Sequence, residues 1–309
     1  MLIYAVQHNN EQIRMKSRSG GIFTALSDWV INNNGSVYGC VLNEKFEAVH
    51  IRAISVSDRD RMRGSKYVQS KIGDTYKLAE IDLKEGMLVL FSGTSCQIDG
   101  FKSYLGKEYS NLICVDIVCH GVPSPVVWRK YLEWQLKGEE PLEVDFRNKM
   151  EYGWRAHVET IKTNDRIIDS EVYKNIFYGH NCLRPSCYVC KYKSLTHPGD
   201  ITIADYWGIE NAAPEFDDDK GTSLVLINSE KGKKIFDYVK RDLKYKETDI
   251  EKSMQEPLIA PFPKPINRER FWIDLKTKEF DFIANKYGTE KPTSLFVRVK
   301  RKVKKVLNI

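Results

Sequence analysis

No apolar run in this chain approaches the ~20 consecutive residues that a membrane-spanning helix needs. A secretory leader is missing too, since Met1-Leu-Ile-Tyr-Ala-Val6 passes at once into polar residues. There is no internal repeat and no low-complexity tract. The seven cysteines are odd in number and lack an export signal, which argues against a disulfide framework and for a reducing, cytoplasmic compartment. Excess charge is scarce outside one place. The formal net charge is +6, and Arg298, Lys300, Arg301, Lys302, Lys304 and Lys305 crowd into the tail. The remainder is close to neutral, so a nucleic-acid partner is not expected.

What remains is an ordinary globular composition, 42% hydrophobic and 29% charged over 309 residues, enough for one large or two medium domains. Ile22, Leu26, Trp29 and Val30 fall on one face of a helix that Ser17–Gly21 opens and Asn33-Asn-Gly35 closes. Strands are expected at 36–42, 48–53, 86–91 and 112–118, with a helix between the last two and another at 125–136. From about 140 to 175 the pattern alternates (142–147, 155–163, 166–171), as antiparallel strands do. Strands at 200–205 and 221–228 and a helix at 231–243 complete the pattern. The expected fold class is α/β: a central, mainly parallel sheet with flanking helices, an antiparallel-rich insertion and a cysteine-rich loop at 181–194. Residues 1–265 are expected to form the catalytic domain and 266–309 a peripheral C-terminal segment.

The strand–helix–strand unit from 87 to 118 is the pattern of a right-handed parallel crossover. Its two strands then end on one sheet edge, about 4.8 Å apart when adjacent. Cys96 and Cys119 follow those ends, where open α/β sheets place their ligands. Cys182, Cys187 and Cys190 form a tight cluster, and Cys187 with Cys190 would complete a four-thiolate site. Such a site suits zinc as well as iron. Cys40 and Cys114 lie within strand patterns and read as packing residues.

Three loops could cradle an anion. Ser17-Arg-Ser19-Gly20-Gly21 precedes a helix N-terminus, where glycines and the dipole favour negative charge. Gly64-Ser65-Lys66-Tyr67 offers a cation for a pyrophosphate and a ring for stacking. Gly93-Thr94-Ser95 at a strand end supplies further N–H donors. His120 reads as a satisfied loop histidine, with proton transfer beside Cys119 as the alternative.

Several motifs occur in order: Ser17-Arg-Ser19-Gly20-Gly21-Ile-Phe-Thr24, Gly64-Ser65-Lys66-Tyr67-Val-Gln-Ser70, Gly93-Thr94-Ser-Cys96-Gln97 and Cys119-His-Gly-Val-Pro-Ser124. Phe146-Arg-Asn-Lys149 with Gly153-Trp154, Arg184-Pro-Ser-Cys187-Tyr-Val-Cys190 and Gly199-Asp-Ile-Thr-Ile-Ala-Asp205-Tyr-Trp-Gly208 follow. From about residue 4 to 265 the chain resembles the coenzyme F420 hydrogenase/dehydrogenase beta-subunit family. The resemblance implies an iron–sulfur flavoprotein oxidoreductase that carries FAD and a [4Fe–4S] cluster and exchanges electrons with a hydride carrier. It assigns Cys96, Cys119, Cys187 and Cys190 to the cluster and leaves Cys182 a spectator. It assigns Ser19, Gly20, Gly21, Thr24, Ser65, Lys66 and Gly93 to the flavin, beside Tyr67 and Thr94 from the loop reading. Many relatives begin with a ferredoxin-like segment that this sequence lacks, so a separate ferredoxin or other electron-donor protein is the expected partner. The Arg-Pro-Ser-Cys and Ala-Asp-Tyr-Trp-Gly forms resemble a bacterial branch associated with surface-polysaccharide synthesis.

Two other functions compete: a zinc-stabilised transferase or modifying enzyme on the same fold, and a non-catalytic electron-transfer subunit of a complex. The tail sets Leu295, Phe296, Val299, Val303, Val306, Leu307 and Ile309 among its basic residues. That composition suits an anchor at an anionic membrane surface, here the inner face, or a solvated terminal helix.

Overall fold

The computed structural model describes residues 1–289. Eleven strands run in chain order: β1 Leu2–His8, β2 Ser36–Leu42, β3 Ala48–Ala53, β4 Val89–Thr94, β5 Leu112–Ile117, β6 Glu143–Asp145, β7 Glu159–Lys162, β8 Ile167–Ser170, β9 Ile201–Asp205, β10 Ser223–Ile227 and β11 Leu243–Glu247. Eight of them form one sheet in the order β11-β1-β10-β9-β5-β4-β2-β3. Its centre, β9-β5-β4-β2, is parallel, and antiparallel strands extend it on both sides. The fold is the expected α/β class. β6, β7 and β8 form a separate antiparallel sheet, the expected insertion.

The central strands are apolar on both faces because helices cover both. Leu90, Ile113, Val115 and Val225 pack under the helix Ile22–Asn32, while Val89, Phe91, Leu112 and Cys114 pack on the opposite side with Ile98 and Phe101. Burial of this kind stabilises by roughly 1.5–3 kcal/mol per large side chain. The crossover is as expected. β4 and β5 pair in parallel from Val89↔Leu112 to Thr94↔Ile117, joined by the helix Ser95–Leu105. β9 joins β5 in the same direction, and Asp205 of β9 faces Ser223 of β10, whose partner is Val6 of β1. The loops after β1, β4, β5 and β9 therefore all leave from one sheet edge.

Three expectations are corrected. The strand placed at 86–91 begins at Val89, because Gly86 turns the chain at φ +82° after the helix Thr75–Lys84. The helix placed at 231–243 ends at Val239, and Leu243–Glu247 becomes an edge strand on β1. Its exposed Lys244 and Lys246 blunt that edge against further pairing. Nor is the described part of 266–309 peripheral. Phe271, Leu275 and Ile283, on the helices Arg268–Thr277 and Phe280–Tyr287, are buried against Trp128, Tyr131 and Leu136 of the helix Pro125–Leu136. Buried Asp274 ties the two helices together, accepting from Lys286 at 2.7 Å and Tyr287 at 2.8 Å. The basic amphipathic stretch 294–309 lies outside the described residues. Among the described residues no helix is long and apolar enough to cross a membrane.

Candidate functional site

Cys96 stands at the start of the helix Ser95–Leu105, with its Sγ 3.2 Å from Thr94 Oγ1. Cys119 follows β5. Cys187 lies in the short 3-10 turn Pro185–Val189, and Cys190 ends that turn. Main-chain bonds dock this turn on the loop after Cys119: Arg184 N–H donates to Val122 O at 2.9 Å, and Leu183 bridges Pro123. Cys187 N–H in turn donates to Arg184 O at 2.9 Å. The docking brings the turn of Cys187 and Cys190 against the loop of Cys119, and on top of burial the neighbouring thiols raise one another: Cys187 and Cys96 raise Cys119, and Cys190 and Cys96 raise Cys187. Burial pushes Cys119 up to about 12, Lys193 pulls it back, and Cys187 and Cys96 add to the rise. Among the described residues no group of three or more His, Cys, Asp or Glu forms a set that could hold a metal ion.

Cys182 stands apart. Its side chain is fully buried between the helix Pro125–Leu136 and Ile176, and its thiol donates to Ile176 O at 3.7 Å. Cys114 is a packing residue, as expected. Cys40 is not simply one: it lies on a cavity wall beside Lys66.

That cavity, about 930 Å³, opens along the sheet edge. It is near the upper end of the usual range for small-molecule sites. Ser19, Gly21, Ser65, Lys66, Tyr67, Gly93 and Thr94 line it, and so does Cys119. Gly21, at φ +94°, caps the helix Ile22–Asn32, and Ile22 and Phe23 of its first turn also line the cavity. Thr24 N–H donates to Gly21 O at 3.0 Å, which leaves the Ile22 and Phe23 amides without an acceptor in their own helix and available to an anion.

Two of the expected flavin residues stand behind the wall. Gly20 packs on β1 so closely that a Cβ would lie 2.0 Å from Val6 O, and its N–H goes to Ser223 Oγ. Thr24 is buried and accepts from Arg63 Nε at 3.1 Å, positioning a cation that does line the cavity. Other assignments change in role. Lys66 Nζ donates to Arg61, Arg63 and Gly64 carbonyls and so stiffens its own loop rather than standing free. Thr94 N–H is taken by Gln97 Oε1 at 3.0 Å in a capping box. Tyr67 packs edge-on against Phe146 and tilted against His157 and Phe177.

The residues missed by sequence reasoning form the far wall. Asp205 accepts from Arg147 at 2.8 Å and from Trp154 Nε1 at 2.9 Å, with Arg18 Nε at 3.6 Å. Arg18 also donates to the Trp154 and Arg147 carbonyls. Trp207 stacks on Trp154 at 4.8 Å beneath the Arg147 guanidinium, 5.1 Å from its ring. Burial alone would raise the Asp205 carboxyl, but Arg18, Arg147 and Trp154 hold it below its ordinary value. Burial, with Arg147 and Arg18, drives His157 down to about 2, so that imidazole stays neutral. The signal was present in Phe146-Arg-Asn-Lys149, Gly153-Trp154 and Ala204-Asp205-Tyr-Trp207, motifs to which spacing alone gives no role. His120, at the thiol end, sets its Nε2 2.7 Å from His180 Nε2 and packs on Phe262. Lys193, missed as well, donates from Nζ to His120 O at 2.8 Å.

The family model for the C terminus of the coenzyme F420 hydrogenase/dehydrogenase beta subunit matches residues 86–253, more than half of the chain. No curated protein matches. Among solved structures, a chain of the F420-reducing [NiFe] hydrogenase complex from Methanosarcina barkeri shares the fold, with a TM-score of 0.55 at 18% identity. The match covers 80% of this chain and 81% of that one. The crossover that gathers Cys96 and Cys119 and the loop that carries Cys187 and Cys190 both fall within the matched segment, and the chain belongs to the coenzyme F420 hydrogenase/dehydrogenase beta-subunit family.

Proposed function

We propose that this chain is an iron–sulfur flavoprotein oxidoreductase in which FAD occupies the sheet-edge cavity and Cys96, Cys119, Cys187 and Cys190 ligate a [4Fe–4S] cluster. One observation carries the reading: main-chain bonds dock the turn that bears Cys187 and Cys190 on the loop after Cys119, and Cys119 lines a cavity large enough for a dinucleotide-sized ligand. Membership of an oxidoreductase family supports it. The donor set fits a cluster, since soft thiolates are its usual ligands. One zinc ion would need four donors drawn to about 2.3 Å from a common centre. A cluster brings its own iron–sulfide core and accepts thiols held farther apart.

When bound, the flavin supplies hydride chemistry and the cluster one-electron chemistry. The chain supplies position and charge. Gly21, with the first turn of its helix, provides amides for a phosphate, and Arg63 adds a cation on the same wall. Lys66 fixes the loop that presents Ser65 and Tyr67. The Arg18–Asp205–Arg147 network and the Trp154–Trp207 stack form a rigid wall on which a second, reacting molecule can rest. His157, packed on Tyr67 behind that wall, stays neutral and adds no competing positive charge. The neighbouring fold comes from a multi-subunit hydrogenase complex, which supports a partner protein, a ferredoxin or another donor, as the source of electrons.

Anaerobic purification followed by metal, sulfide and flavin analysis tests the reading. The expectation is about four irons and one FAD per chain, with flavin bands over a broad iron–sulfur absorbance. A colourless protein with stoichiometric zinc would refute it in favour of the zinc-stabilised alternative.

A further inference from the structure

We infer that Lys193 is the fixed counter-charge of the cysteine centre: its buried ammonium offsets the thiolates and raises the reduction potential of the group they hold. The inference rests on the iron–sulfur reading above and assigns the part that this lysine plays in it.

Lys193 is only 6% exposed. Its backbone N–H donates to Cys190 O at 3.4 Å, which ties it to one end of the cysteine turn. Its Nζ crosses to the other element, donating to the carbonyl of His120, the residue after Cys119. The Phe262 ring lies beneath the ammonium at 4.6 Å. The ammonium is thereby held between the loop that follows Cys119 and the turn that carries Cys187 and Cys190.

A buried ammonium is costly unless something negative compensates it. Among the described residues no carboxylate forms an ion pair with Lys193, and one carbonyl and one aromatic face are modest company for a full charge. The thiols are the compensation. Four thiolates outweigh the positive charge of an iron–sulfur core, and each added electron makes the centre more negative. A lysine held at this place favours the reduced state, because net charge and nearby dipoles set cluster potentials. Lys191 and Lys102 are poor substitutes, as the first pairs with Asp99 and the second donates to Pro198 O.

The test uses the full chain with its cluster, in an EPR-monitored redox titration of the wild type and of Lys193→Met, Lys193→Gln and Lys193→Arg. Iron per chain is measured on the same samples. Removing the charge should weaken the hold on the added electron at least tenfold, a fall in midpoint of about 59 mV for a one-electron couple. Arginine should restore most of it. Loss of iron from both neutral variants but not from Lys193→Arg would also support the inference, since charge alone separates them. Neutral variants with full iron and a wild-type midpoint would overturn it, as would loss of iron from all three. A wild-type chain without iron or sulfide would sink the iron–sulfur reading itself, and this inference with it.

Discussion

Replacing Asp205 with alanine removes the one carboxylate among the described residues that pairs with both Arg18 and Arg147 at the far wall of the cavity. Its side chain is 12% exposed, and those of Arg18 and Arg147 are 10% and 4% exposed. Breaking a buried pair by removing one partner costs about 3–5 kcal/mol, since the remaining charge is left uncompensated. Two guanidiniums and the Trp154 indole are stranded here, so the upper half of that range is expected. With an unfolding entropy of about 2.1 cal/mol/K per residue, 309 residues give roughly 0.65 kcal/mol/K, and the melting temperature should fall by about 6–8 °C. Thermal unfolding at pH 7 measures this. Asp205→Asn keeps an acceptor for Trp154 and isolates the charge. The folded carboxyl lies below its ordinary value of 3.8, so its contribution is fully present above that pH and is lost as pH falls through the lowered value. The gap between wild type and Asp205→Asn should therefore close on acidification. A melting shift under 2 °C for the alanine variant, or a gap that persists in acid, would refute the view of Asp205 as the anchor of this wall.

Two further outcomes concern the cysteines and a buried carboxyl. Serine at Cys96, Cys119, Cys187 or Cys190 should each lower iron per chain, whereas Cys182→Ser should retain it, because that thiol reaches only Ile176 O in the core; metal analysis after anaerobic purification checks the series, and iron loss in Cys182→Ser would overturn the quartet. Glu159 accepts from the Lys174 amide while its Oε2 has no partner, and burial raises its carboxyl to about 8. Its folded pKa exceeds the unfolded value of 4.5, so its contribution is present below pH 4.5 and is lost as pH rises to about 8, by up to about 1.4 kcal/mol per unit. Urea unfolding across that window should show wild type losing stability relative to Glu159→Gln; parallel curves would place the carboxyl in water.

Local pattern made much of the site legible. The period of apolar residues marked β4, the following helix and β5, and parallel crossovers have one hand and one exit edge. Those two rules alone make Cys96 and Cys119 neighbours. Strand ends and glycine turns marked the loops of Ser19, Ser65 and Gly93. Pattern failed where a residue's role depends on what lies across the fold. Gly20 reads as a phosphate glycine, yet it is required by the closeness of Val6 O on β1. Lys66 reads as a free cation, yet the curl of its loop turns Nζ onto three carbonyls. The last residues of 231–243 read as the end of a helix, but Leu243 opens a strand because the edge of β1 can pair with it.

The sequence by itself determined the crossover, the thiols and their spacing, because these follow from bonds and periods within some thirty residues. Only the tertiary structure decided which polar side chains share a wall. Arg18, Arg147, Trp154 and Asp205 come from loops and strands nearly two hundred residues apart, and Lys193 meets His120 across the docked cysteine turn. Their charges have meaning only in pairs, and pairing over such separations is fixed by sheet order, which no local period records.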